Sequence, residues 1–269
     1  MKKPTALIIC PHPDDGDIMC GEFCAQSVNA GWNVHELLMT TDEYGTTRND
    51  FKGKRIKAIR KAEMIRASRC YGVDNNGNAL LQLHWANYID GFAPFTIKSV
   101  ERLQMFIQKI NPDVILGPDP FVHHDAHVDH LATGRNYYYA LKWMDPKKRP
   151  KLMLFFQSLM PNFFIPILNP KTVFCARIAH RSQWTERTVK IYGNIQRFLY
   201  PFRLITVAGG RKSEGFRKVT FNYSNHYPQG FAKFVFRLFK DRPIGYKEGH
   251  FIPTPGQLQL KLEPEGEIE

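Results

Sequence analysis

The chain has 269 residues, 43% of them hydrophobic, and a formal net charge of +12. That length and apolar content suit one domain with a modest appendage and exclude a low-complexity chain. No stretch approaches the ~18 uninterrupted apolar residues of a membrane span, and the first apolar run is too short for a signal peptide, so a cytoplasmic protein is expected.

The first strand is expected at residues 6–10, an apolar run of Ala-Leu-Ile-Ile-Cys. One helix should follow over about 17–30, ended by Gly31, and then a second strand over 34–40. A polar loop runs from Thr41 to Gly53. Residues 54–71 carry Ile56, Ile59, Met64 and Ile65 as a helical stripe, stopped by Gly72. A short third strand is expected at 79–83. Val100, Leu103, Phe106, Ile107 and Ile110 recur at helical spacing over 96–110, and Asn111-Pro112 stops that helix. A fourth strand falls at 114–117, and a helix begins near His127 or Asp129 and runs to about Met144. Residues 152–157 and 163–167 read as strands. Asn169-Pro170 is an N-cap and first-turn pair for a helix to about His180. A further helix is expected over 185–204 and a strand near 218–223. The acidic end, 263–269, is expected to fray. The alternation of strand and helix predicts an α/β fold: a Rossmann-like three-layer sandwich with a mostly parallel sheet and a small C-terminal β/loop elaboration.

The positive charge invites anionic partners. Its densest runs are Arg48 to Arg69, Lys147 to Arg149 and Arg211 to Lys218, spread along the chain and matching no nucleic-acid motif. No nucleic acid is therefore expected, although a basic nucleic-acid-binding Rossmann-like protein stays as an alternative. A nucleotide-binding version lacks the Gly-x-Gly-x-x-Gly that should follow the first strand. The five cysteines, Cys10, Cys20, Cys24, Cys70 and Cys175, are scattered without a Cys-x-x-Cys pair. Reduced, mostly buried thiols are expected.

Two polar clusters stand at strand ends. Pro11-His-Pro-Asp-Asp-Gly16 follows the first strand, and its two prolines stiffen the turn. His12 and Asp15 are three apart and can face one metal, which turns Asp14 elsewhere. His123-His-Asp-Ala-His-Val-Asp-His130 follows the fourth strand, with His127 and His130 one turn apart and Asp129 between them. Parallel strands deliver such groups to one crevice at their carboxyl ends. Two His and one Asp around an open position make a catalytic zinc site, and a spare Asp makes a base.

These stretches resemble the PIG-L/LmbE family of zinc-dependent N-deacetylases. The family's Ala-His-Pro-Asp-Asp-Glu stands here as Pro11-His-Pro-Asp-Asp-Gly16, and its His-Pro-Asp-His as His127-Val-Asp-His130. Arg60-Lys-Ala-Glu63 followed by Tyr71-Gly-Val73 is similar to its Arg-x-x-Glu helix, and His180-Arg-Ser-Gln183 to its His-x-Ser-Gln motif. Within the family, Met39-Thr-Thr-Asp-Glu-Tyr-Gly-Thr-Thr47, Gly117-Pro-Asp-Pro-Phe121 and Glu214-Gly-Phe-Arg217 look nearest to archaeal diacetylchitobiose deacetylases. The departures are Gly16 for Glu, Val128 for Pro, and Gly21-Glu22 for a Gly-Gly pair.

The resemblance implies a deacetylase domain over 1–226, with 227–269 as a C-terminal extension packed on it. It implies Zn2+ held by His12, Asp15 and His130, with Asp14 as general base. His127 would be a second imidazole near the reacting carbonyl, oriented by Asp129. Arg60 would lie near the site and bind substrate, and His226 would stand over the oxyanion. The implied substrate is an N-acetylated amino sugar containing N-acetylglucosamine; a zinc amidase for a thiol conjugate or antibiotic precursor is the alternative. Trp184, beside the His-x-Ser-Gln motif, is the candidate sugar-stacking residue. A homo-oligomer fits this reading too. Residues 231–239, aromatic and basic, suggest a peripheral membrane contact, although packing on the core is favoured.

Overall fold

A computed structural model describes residues 2–46, 48–121, 127–183, 187, 190, 213–222 and 268. Seven strands form one sheet, β1 (Thr5–Cys10), β2 (Asn33–Thr40), β3 (Leu81–Tyr88), β4 (Val114–Pro118), β5 (Leu152–Phe156), β6 (Phe163–Pro166) and β7 (Ser213–Lys218), in the order β3-β2-β1-β4-β5-β7-β6. β3 through β5 in that order are parallel, and β7 runs antiparallel between β5 and β6. The helices are α1 (Asp15–Met19), α2 (Gly21–Asn29), α3 (Lys54–Cys70), α4 (Ile97–Ile110), α5 (Val128–Trp143) and α6 (Pro170–Ala179). This is the α/β sandwich that the strand–helix alternation predicts.

β1 is buried along its whole length, as its unbroken apolar run requires of a central parallel strand. Its side chains alternate between two cores. Ala6, Ile8 and Cys10 pack with residues of α2, α3 and α6, and Leu7 and Ile9 with residues of α4 and α5. α4 owes its start to Thr96 and Ser99, which cap each other's backbone N–H, and its end to Asn111 in the left-handed conformation. Strand order reverses between β1 and β4, where a doubly wound sheet opens a crevice. Gly117 at the end of β4 lets α5 approach closely, because a Cβ there would lie 2.5 Å from the Tyr137 ring.

Four expectations need correction. The helix expected over 17–30 is two helices, broken at Cys20. The Glu214 carboxylate accepts from the backbone N–H groups of Glu22 (2.7 Å) and Phe23 (3.0 Å), so α2 starts afresh under a cap 192 residues distant. β3 runs to Tyr88, well past Leu83. It is an edge strand, half covered, so Gln82 and His84 do not interrupt it. The strand near 218–223 lies instead at Ser213–Lys218, specified by pairing with β5 and β6 and not by its own polar sequence. Cys70 and Cys175 form a disulfide, their Cα atoms 6.0 Å apart, because α3 and α6 pack side by side. Cys10, Cys20 and Cys24 are free and buried, as expected.

The expected helix over 185–204 falls outside the described residues except at Arg187 and Lys190. The extension over 227–269 does so except at Ile268, which is buried in the core with α4 and α5. Residues 231–239 lie outside altogether. Among the described residues no helix is long and apolar enough to cross a membrane.

Candidate active site

The first loop leaves β1 at Pro11, whose carbonyl accepts from the Thr40 backbone and hydroxyl, both at 2.9 Å. That ties the loop to the end of β2. Asp14 has φ 140, a conformation that favours glycine. Its carboxylate lies 3.3 Å from Arg60 Nη2. The second loop ends at His127, the N-cap of α5, whose Nδ1 accepts from the Asp129 backbone at 3.3 Å. A neutral His127 ring with Nδ1 accepting has its proton on Nε2.

The two loops bring His12, Asp15 and His130 together. His12 Nδ1 lies 3.2 Å from His130 Nε2, and Asp15 Oδ2 lies 3.4 Å from each. A tetrahedral cation about 2.1 Å from each ligand sets ligand atoms about 3.4 Å apart. The triangle therefore fits one metal ion. Wider donor sets also gather here, within 4.8 Å of one another: His12 with His127 and His130, and His12 with Asp90, His127 and Asp129. The triangle with Asp15 is the tightest. Asp129 and Asp90 sit on the opposite ring nitrogen, His12 Nε2, at 3.0 and 3.2 Å. They accept a hydrogen bond from Nε2–H and leave the Nδ1 lone pair for a metal. Burial opposes charge on Asp15, yet His130 and His12 beside it hold its pKa well below the usual carboxylate range.

Asp129 contacts both His12 and His127. Its carboxylate accepts from Gly91 N (2.6 Å) and Ala93 N (3.0 Å) and is directed at His12, while its backbone N–H is what steadies His127. Burial raises its pKa, but the hydrogen bond with His12 prevails and holds it at about 2.

Arg60 lies beside these groups. It is 1% exposed, and its five N–H groups are directed at protein acceptors. Nε donates to Asp42; Nη1 points to Glu63 and His180, both at 3.4 Å; Nη2 donates to the Pro13 carbonyl and lies 3.3 Å from Asp14 Oδ2. It braces the loop and also lines the cavity. The network joins the two motifs of the middle region. Glu63 accepts from Ser182 N and Oγ at 2.8 and 2.6 Å, and His180 Nε2 meets Asp17 at 2.6 Å. Burial raises the Asp14 pKa above the ordinary value, and Arg60 opposes the rise. Farther out, Arg217 holds Asp119 with two bonds of 2.7 and 2.8 Å, which fixes β7 to the end of β4.

Asp14, Asp15, His12, His127 and His130 line one cavity of about 430 Å³, with Asp42, Tyr44, Asp90, Gln157 and Gln183. Sequence reasoning missed Asp90, whose pKa is pushed up to about 7 chiefly by burial. It sits two residues past β3, and a strand read as ending at Leu83 gives no reason to look there. Gln157 follows β5 directly, is buried, and holds φ 56. Trp184 and His226 lie outside the described residues, as do His123 and His124.

Residues 7–141 match the model of the PIG-L family, described as GlcNAc-PI de-N-acetylase. The chain belongs to that family. The PIG-L match runs from β1 into α5 and so includes His12, Asp15 and His130. A diacetylchitobiose deacetylase from Thermococcus kodakarensis is 26% identical over 230 residues, 79% of this chain and 82% of that protein. The structure of an N,N'-diacetylchitobiose deacetylase from Pyrococcus horikoshii superposes with TM-score 0.70 at 25% identity, covering 80% of this chain and 83% of the other. A 4-carboxy-2-hydroxymuconate hydratase from Pseudomonas putida shares the fold at TM-score 0.65 and 17% identity, covering 81% and 96%. That likeness concerns the fold alone, so function has to be argued from the site.

Proposed function

We propose that this PIG-L family member is a zinc-dependent hydrolase that removes the N-acetyl group of an N-acetylglucosamine-containing substrate. The observation that supports this best is the His12–Asp15–His130 triangle with Asp14 alongside in an open cavity. Two diacetylchitobiose deacetylases among its relatives support the substrate class. His12, Asp15 and His130 would hold the zinc, which when bound polarises the amide carbonyl and acidifies a water. Asp14 takes the proton of the attacking water. Its raised pKa suits a group that must hold a proton in mid-reaction. His127, which lines the cavity, donates from Nε2 to the oxygen of the tetrahedral intermediate. The proton on Asp14 then passes to the leaving nitrogen, and acetate and a free amine result. Tyr44, Gln157 and Gln183 line the same cavity and are placed to meet sugar hydroxyls.

The test is acetate release from chitobiose-type, inositol-linked and lipid-linked N-acetylglucosamine compounds, together with metal analysis. Release from at least one of them, abolished by a chelator and restored by zinc, is expected. His130→Ala should lose both metal and activity. A variant that keeps full metal content and turnover would overturn the metal assignment. Failure to release acetate from any of these compounds would overturn the substrate class.

A further inference from the structure

The motif that this chain resembles has Glu at position 16, where the chain has Gly. The space beside Gly16 is already filled. A Cβ built there would lie 2.2 Å from Glu36 Oε1 and 2.8 Å from its Cδ. Glu36 comes from β2, where it pairs with Ile8 of β1, and it is 0% exposed. Neither of its carboxyl oxygens makes a well-formed hydrogen bond among the described residues, and its nearest polar neighbour is the weakly donating Cys10 thiol. An unpartnered carboxyl group in a protein core is costly, so packing alone gives no reason to prefer Glu at this position over Leu or Met. What the position does have is contact with the residue that follows Asp15.

We infer that Glu36 is a positioning residue for the metal-binding loop: from the neighbouring strand, it supplies the carboxyl group that residue 16 lacks and props the 14–16 turn from beneath. The glycine and the glutamate form one unit. Gly16 makes the room, and Glu36 occupies it against the backbone between Asp15 and Asp17. Asp15 then keeps Oδ2 on the His12 backbone N–H at 2.9 Å and on the two imidazoles. The inference rests on the metal-site reading above.

Zinc affinity by competition with a chromophoric chelator, and melting temperature without metal, are the two measurements. They are made on wild type, Glu36→Ala, Glu36→Gln, Gly16→Glu and the double variant Gly16→Glu/Glu36→Ala. Losing a group that orients a ligand typically weakens metal binding about 10- to 100-fold. Glu36→Ala should show that loss with little change in melting temperature, since it also removes an unsatisfied buried group. Glu36→Gln, nearly isosteric, should recover most of the affinity. Gly16→Glu forces two side chains into one space and should bind zinc weakly or fail to fold. The double variant, with the carboxyl group moved to residue 16, should fold and bind more tightly than either single variant. Wild-type affinity in Glu36→Ala, or a double variant no better than Gly16→Glu, overturns the inference. Wild type that binds no divalent cation overturns the metal-site reading, and this inference with it.

Discussion

The two faces of the sheet are covered by different chemistry. On the α4/α5 face the core is almost wholly apolar, with Leu7, Ile9, Leu37 and Met39 of the strands against Val100, Leu103, Phe106 and Leu141 of the helices. On the α3/α6 face, apolar residues share the interior with Glu36, Asp17, Arg60, Glu63 and His180, all within 2% of full burial. Tyr71 donates to Asp17 at 2.6 Å, Asp17 meets His180, and His180 reaches Arg60, which braces Asp14. One face is packed with apolar side chains, and the other holds the loop that carries His12, Asp14 and Asp15. The division has a cost. Most of these buried polar groups depend on a partner, so the α3/α6 face should tolerate substitution less well in function, and the α4/α5 face less well in stability alone.

The sharpest break in that comparison is at Asp14. Asp14→Asn keeps size and polarity, so metal should stay bound. Loss of the base should lower turnover by about 10²- to 10⁴-fold with substrate binding much less changed. Zinc content and acetate release, measured beside wild type, check this. Normal turnover would reject the base role, and joint loss of zinc and activity would make Asp14 a ligand.

Arg60 comes next. Arg60→Leu leaves Asp14, Asp42 and Glu63 without their shared cation, and removing one partner of a buried ion pair costs roughly 3–5 kcal/mol. Urea unfolding should show that loss. Whatever protein remains folded should turn over slowly, because the Pro13 carbonyl and Asp14 lose their anchor. Full activity in the folded fraction would mean that the brace serves stability only.

Leu103→Ala is the matching change on the other face. Leu103 is buried on α4. Truncation should cost about 2–5 kcal/mol of stability. Turnover per folded molecule should stay at the wild-type value. A kinetic defect there would erase the division between the faces.

Much of this was legible in the residues. β1 and β4 announce themselves as unbroken apolar runs, since strands buried on both faces have no polar side. α4 shows a helical stripe because one side of it meets solvent; in α3 Ile56 and Met64 are buried as the stripe predicts, but Ile65 is exposed and Arg60 and Glu63 share the buried face. The two polar loops stand out because His and Asp cluster directly after buried strands. What could not be read is what depends on distant partners. The break at Cys20 follows from Glu214, the disulfide from the packing of α3 on α6, and the place of β7 from its two neighbours. Asp90 and Glu36 belong to the same class. Each is a lone carboxylate in or just past a strand, and only the assembled sheet puts one on His12 and the other under Gly16. Arg60 was legible as a site residue, but its work as a brace was not, since its acceptors come from four separate segments.

The smallest expected effect concerns a polar pair on the apolar face. His35 of β2 and His84 of β3 stack with ring centroids 5.3 Å apart, and Nδ1 of the first meets Nε2 of the second at 3.0 Å. His84 also packs edge-on against Phe106 of α4. Burial, then the neighbouring ring, lowers the His35 pKa to about 4. An unfolded histidine titrates near 6.5. The unfolded chain therefore takes up this proton first as pH falls. The stability that comes from keeping the ring neutral is complete above pH 6.5 and is lost progressively down to about 4. His35 is only partly buried, so screening reduces the effect to about 1–2 kcal/mol. His35→Gln keeps a hydrogen-bonding side chain without a titrating ring. Comparing urea midpoints at pH 7 and pH 4.5, the variant should lose less stability on acidification than wild type. Equal losses would show that the pair is solvated enough to protonate in the folded state, and that the apolar face ends short of β2 and β3.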